Sequence, residues 1–189
     1  MFRLSDRLRR ASTGPVALVA LVIFVLFMVL VLPRQAATAE GETGASDSPD
    51  TSFYYSPGDL YDMAAAYGQE GRAAYVRARF TFDLVWPLVY AFFLTAAIGW
   101  LYARTFPAGS RWQLANLAPV LGMAFDYLEN LATSLVMVRY PAQTAVVDQL
   151  APLFTLLKWL FLGAGFLLLF VGLAAAVWAA LRRRGDRAA

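Results

Sequence analysis

The chain contains no cysteine and no histidine. Disulfides, thiol chemistry, haem ligation by His and the usual zinc sets are excluded by that absence. The Ser-His-Asp and Cys-His nucleophile arrangements are excluded with them. Charge is scarce too. Charged residues make up 15% of the chain, where a soluble domain carries about a quarter. The net charge of +3 is small. The basic residues sit beside apolar runs, so they report membrane edges and not a nucleic-acid partner.

What is abundant is apolar: 60% of the residues are hydrophobic. A membrane helix needs roughly 17 to 25 apolar residues. Four stretches reach that length: residues 16–32, 82–103, 114–138 and 151–181. The last is long enough to tilt or to overrun the membrane face. The expected fold class is therefore all-α, an integral membrane bundle of four transmembrane helices. Outside these stretches, Arg3, Arg7, Arg9, Arg10, Arg104, Arg111, Arg182, Arg183, Arg184 and Arg187 fall on one side. Arg34, Arg72, Arg77, Arg79 and Arg139 fall on the other, together with most of the acids, Glu40, Glu42, Asp47, Asp50, Asp59, Asp62, Glu70 and Asp148 among them. This bias places both termini in the cytoplasm. The first stretch also has signal-peptide features, with Ala37-Thr38-Ala39 as a cleavage-like site, but its apolar core is long and Arg34 interrupts the approach. It is read as a retained anchor; cleavage would leave three spans with the same orientation.

The chain divides into a basic N-terminus with the first span (1–33), a linker (34–52), an external amphipathic segment (53–81), a three-helix membrane bundle (82–181) and a basic tail (182–189). Residues 33–51 are small, polar and acidic, and read as flexible. Ser56 before Pro57 marks a helix start and Gly68 a stop. Leu60, Met63, Ala64 and Tyr67 share one face of that short helix, which either lies on the outer membrane surface or caps the bundle. Residues from Gln69 lead into the second span, where Tyr75 and Phe80 would meet headgroups while Arg72, Arg77 and Arg79 reach phosphate or water. The five tryptophans read as interfacial or lipid-facing, and the terminal RRRGDR as an orientation signal on the cytoplasmic side. No inverted repeat of the transporter kind is present.

Against this background, Asp83, Asp126, Glu129 and Lys158 stand out, because ionisable residues in spans are costly and are functional candidates by default. Depth follows from 1.5 Å per residue. Glu129 and Asn130 lie roughly 12–14 Å below the outer end of the third span, and Lys158 roughly 12 Å below that of the fourth. Phase follows from 100° per residue. Asp126, Asn130 and Thr133 form one stripe, Thr155, Lys158, Gly165 and Gly172 share a face, and Asp83, Pro87 and Tyr90 share another. Pointing these faces together gives a polar cluster of Asp83, Tyr90, Asp126, Glu129, Asn130, Thr155 and Lys158 in the outer half of the bundle. Lys158 then faces Glu129 or Asp126. If ionised, the cluster carries a net −2, to be met by a proton, a cation or water. Asp83, Asp126 and Glu129 are the candidate metal ligands, and carboxylates alone suit Mg²⁺ or Ca²⁺. No other cofactor is expected.

LAPVLGMAFDYLENLATSLVMVRYP, LAPLFTLLKWLFLG and GQEGRAAYVRARFTFDLVWPLVY carry a likeness. Across about residues 61–162 the chain resembles small bacterial four-span (tetraspan) membrane proteins without an assigned activity. The residues that carry it are Gly71, Arg72, Tyr75, Asp83, Pro87, Tyr90, Asp126, Glu129, Asn130, Tyr140, Pro141, Phe154, Thr155, Lys158 and Trp159. The resemblance implies a multi-pass protein of the bacterial inner membrane, and no chemistry. A claudin-like plan is set aside, because the loop cysteines are absent. Three roles stay open for the cluster. It reads as a clamp that pairs helices, as a site for a lipid or amphipathic small molecule with or without a cation, or as part of a proton or cation path. The inner halves of the spans offer little beyond Thr95 and Asn116 to continue such a path. The expected partners are the bilayer, an amphipathic ligand and further copies of the chain through small-residue helix faces.

Overall fold

The computed structural model describes residues 2–44 and 47–188, with side chains from Arg3 to Arg182. Every regular element among the described residues is helical. Helix α1 (Phe2–Ala11) is followed by α2 (Gly14–Leu26), one wide π turn (Phe27–Val31) and α3 (Leu32–Thr43), which together form one continuous rod. Then come α4 (Pro57–Ala66), α5 (Gly68–Arg79), α6 (Phe82–Thr105), a 3₁₀ segment (Arg111–Leu117), α7 (Ala118–Arg139) and α8 (Val147–Ala188).

Three helices are long and apolar enough to cross a membrane: Gly14–Thr43, Gly68–Thr105 and Val147–Arg182. Their outward faces carry large apolar side chains such as Leu18, Val22, Val29, Leu88, Leu167, Phe170 and Trp178. The buried polar residues include Asp83, Asp126, Glu129, Thr133 and Lys158. Apolar outside and ionisable inside is the reverse of a soluble domain, and it suits lipid as the surrounding solvent. The remaining stretch, 114–138, forms the end of the 3₁₀ segment and, from Ala118, α7. At 22 residues α7 is long enough to span, but it is less apolar because it carries Asp126, Glu129, Asn130, Thr133 and Ser134 on buried positions. It packs most extensively against α8, and also against α5 and α6.

Close backbone approach holds the rods together. A Cβ on Gly172 of α8 would lie 2.7 Å from Tyr102 Cε2 of α6, and one on Gly165 3.2 Å from Leu94 Cδ1. The small-residue face of α8 is thus packed inside this chain. An apolar core of Tyr90, Phe93, Leu94, Ile98, Leu101 and Tyr102 joins α6 to α2 and α8.

One expectation changes, and two points that the sequence left open are filled in. The linker 34–52 is helical to Thr43, since the sequence AATAE, rich in helix formers, extends a helix already nucleated by the first span. The π turn precedes Pro33, whose missing N–H and ring crowd an ordinary α turn. Helix α3 then packs on α5, where Gly71 leaves room for the backbone of Glu42 and Thr43. The N-terminal tail is also folded. Ser5 on α1 donates to the Gln113 carbonyl and to Asn116 Oδ1, both at 2.8 Å, and this docks α1 on the 3₁₀ segment. Finally, α4 caps the bundle: it packs on α7 and α8 and buries Leu60 and Ala64. Its start is as read, with Ser56 and Asp59 forming a reciprocal capping box. The side chains of Arg183, Arg184 and Arg187 lie outside the described residues.

Candidate functional site

Helices α5, α6, α7 and α8 converge beneath the segment that follows α3, and their polar residues meet there. Lys158 on α8 is 2% exposed. Its Nζ lies 2.6 Å from Glu129 Oε2 on α7 and 2.9 Å from Asp50 Oδ1, and it donates to the Asp50 carbonyl at 3.0 Å. About two turns of α7, from Asp126 to Thr133, carry the rest of the inner wall. Asp126 Oδ2 accepts from Tyr90 on α6 at 3.0 Å, and Asp126 Oδ1 accepts from Asn130 Nδ2 at 3.3 Å. Thr133 donates back to the Glu129 carbonyl and accepts from Tyr75 of α5 at 3.2 Å.

A second cation completes the site. Arg79, the last residue of α5, is buried. Its Nε lies 2.8 Å from Asp83 Oδ2, one turn on across the α5–α6 junction, and its Nη1 3.1 Å from Asp50 Oδ1. The guanidinium stacks on the Tyr75 ring, 4.7 Å from its centroid. Asp50 therefore receives both cations. Burial raises its pKa, but the charges of Lys158 and Arg79 outweigh that and hold the carboxyl well below its usual range. The Asp50 segment is pinned on each side. Trp159 Nε1 donates to the Ser52 carbonyl at 2.8 Å, and Tyr67 to the Asp47 carbonyl at 2.8 Å. The Tyr55 and Thr155 hydroxyls are 3.1 Å apart, and burial followed by the Glu129 charge raises the Tyr55 phenol, which stays protonated.

The structure therefore joins Lys158 to Glu129 and Tyr90 to Asp126, and puts Asn130 on Asp126. Asp83 belongs with Arg79, not with Lys158, and Thr155 belongs with Tyr55 at the margin. Arg79 lies inside the cluster instead of reaching phosphate or water, and Tyr75 lies beneath it instead of among headgroups. The i,i+4 spacing of Arg79 and Asp83 was the available signal for the first. Asp50 had no comparable signal, because its partners lie far along the chain. Adding Asp50 and Arg79 leaves the formal charge of the cluster at −2.

The carboxylates that come closest are Asp50, Asp126 and Glu129, with one oxygen of each within 4.8 Å of the others. Asp83 is not in that group. Two of these three already share the Lys158 ammonium, so a metal ion would have to compete with a cation that the protein supplies. Further in, polarity stops. Thr95 donates to the Asn116 carbonyl and Asn116 is tied to Ser5, a closed knot at the other end of the bundle. Buried Leu94 and Ile98 belong to the apolar core of the same helix, α6.

An opening between helices reaches the cluster. A cavity of about 220 Å³ runs between α3 and α5. Leu32, Ala36, Ala39, Ala74, Ala78 and Phe82 form apolar parts of its wall, Glu40, Glu42 and Ser48 are polar, and Asp50, Arg79 and Asp83 bring in the charged cluster. In comparisons with known families, curated proteins and solved structures, the chain matches none.

Proposed function

We propose that the protein is a four-span integral membrane protein, with both termini cytoplasmic, that holds an amphipathic small molecule or lipid near the outer face of the membrane. The observation that carries this reading is the cavity between α3 and α5, with apolar side chains along its wall, reaching the buried charges Arg79 and Asp83 and the half-buried Asp50. An apolar wall with a few convergent polar groups is the usual form of a ligand site. Asp126, Glu129 and α7 as a whole form the fourth span in this reading, with their polar face turned inward. The role is binding rather than catalysis.

The cluster has two parts in this proposal. Lys158, Glu129 and Asp126 are enclosed and serve as the clamp between α7 and α8. Asp83 and Arg79 face the cavity and serve the ligand. A through-path for protons or ions is the weaker reading, because the polar groups of the outer cluster and of the inner Ser5–Asn116 knot are not joined by any hydrogen bond among the described residues.

The test is solvent extraction of the purified full-length protein followed by mass spectrometry. About one amphiphile per chain is expected, falling several-fold in Ala39→Trp, which fills the cavity wall. The same unselective lipid content in both proteins would overturn the reading.

A further inference from the structure

The charges around the cavity say more than that it admits something amphipathic. Its lining holds four acids, Glu40, Glu42, Asp50 and Asp83, and one cation, Arg79. Arg77 pairs with Glu42 at 3.0 Å, and Lys158 with Asp50. With those pairs included, one negative charge remains at the cavity. Asp126 and Glu129 add two more behind it. Arg79 is not free to meet an anion, since Asp50 and Asp83 hold its guanidinium and the Tyr75 ring covers a face. Asp83 is 2% exposed and lines the cavity, with its Oδ2 2.8 Å from Arg79 Nε. A carboxylate on the wall of a cavity with surplus negative charge is best matched by a donor that carries positive charge.

We infer that the ligand of this cavity is a cationic or amine-bearing amphiphile, with its ammonium group against Asp83 and its chain along Leu32, Ala36 and Phe82. The inference rests on the cavity being a ligand site and adds the ligand's class. An anionic headgroup would meet Glu40, Glu42 and Asp83 and find its one candidate partner, Arg79, already taken. An ammonium group would offset the surplus charge and could also lie near the Tyr67 ring on the cavity wall. The ammonium has two sources, a phospholipid headgroup or a free amphipathic amine.

The experiment has two arms, both on the full chain. In the first, nanodiscs of phosphatidylethanolamine, phosphatidylcholine and phosphatidylglycerol in equal parts are opened in the mass spectrometer, and the retained lipid is identified. In the second, dodecyltrimethylammonium and dodecyl sulfate are titrated into the protein in a neutral detergent. Retention of an amine- or ammonium-bearing lipid over phosphatidylglycerol supports the inference and names a lipid source. Selective binding of dodecyltrimethylammonium without lipid retention supports it and names a free amine. Asp83→Asn should weaken the cationic probe about tenfold. Because Asp83 is buried, the exposed pair Glu40→Gln/Glu42→Gln serves as the variant that leaves the fold intact, with a loss of about threefold. Equal binding of both probes, or preference for the anionic lipid, overturns the charge assignment and leaves the cavity reading standing. Binding of neither probe, with lipid content unchanged in Ala39→Trp, overturns both.

Discussion

Lys158 has two carboxylates and a carbonyl around one ammonium, with Lys158 and Glu129 out of water and Asp50 half-buried. Removing one partner of a buried pair costs about 3–5 kcal/mol, because the other charge is left uncompensated. Lys158→Met should therefore lower the unfolding midpoint in detergent strongly. Lys158→Met combined with Glu129→Gln should restore part of the loss, since one of the stranded acids is then neutral. Equal destabilisation by the single and the double variant would show that the two residues are not energetically coupled. This pair was legible in the sequence, because depth and phase along two helices place an acid and a lysine level with each other. Asp50 was not. It reaches Lys158 from a segment of small polar residues whose composition suggests no fixed structure, and what fixes it is tertiary: the indole of Trp159 and the phenol of Tyr67 hold the backbone on either side.

At the level of elements, the apolar runs announce the long helices, and the Ser56 cap announces α4. The extension of the first helix through Arg34 to Thr43 was hidden, because small and acidic residues read as linker when they are taken apart from the helix that precedes them. The docking of α1 was hidden for a related reason, as a basic tail shows its charge but not the single serine that ties it down. Where elements touch, glycine marks the contact. A Cβ on Gly99 of α6 would stand 2.6 Å from Ser12 Oγ and 2.9 Å from Ser12 Cβ, at the joint between α1 and α2. Gly99→Val should push the two apart and cost about 1–3 kcal/mol, read as a lower midpoint and faster proteolysis near residues 11–14. Gly163→Ala, where no atom lies within 4 Å of the added carbon, should leave both unchanged.

For the whole molecule, the decisive question is whether α7 crosses the membrane. The chain has no cysteine, so a single introduced one is a clean reporter of sidedness. With four crossings, a membrane-impermeant maleimide applied from outside should label Gly58→Cys and Gln143→Cys in intact cells, and label Gly109→Cys only after lysis. Labelling of positions 109 and 143 from the same side would mean that α7 does not cross. The composition made helices long and apolar enough to cross a membrane plain from the first. It did not separate a lipid-facing helix from one enclosed by its neighbours, because hydropathy averages over the faces of a helix and the polar residues of α7 all sit on one of them.

The tie between Asp50 and Lys158 joins the segment after the first long helix to the last one. During synthesis Asp50, Arg79 and Glu129 all leave the ribosome before Lys158. Until α8 is in place, Glu129 on α7 has no lysine, and Asp50 has only Arg79 to close on. Chains that stop short of α8 would carry Glu129 without its cation. The cluster would then also report that the last helix has arrived.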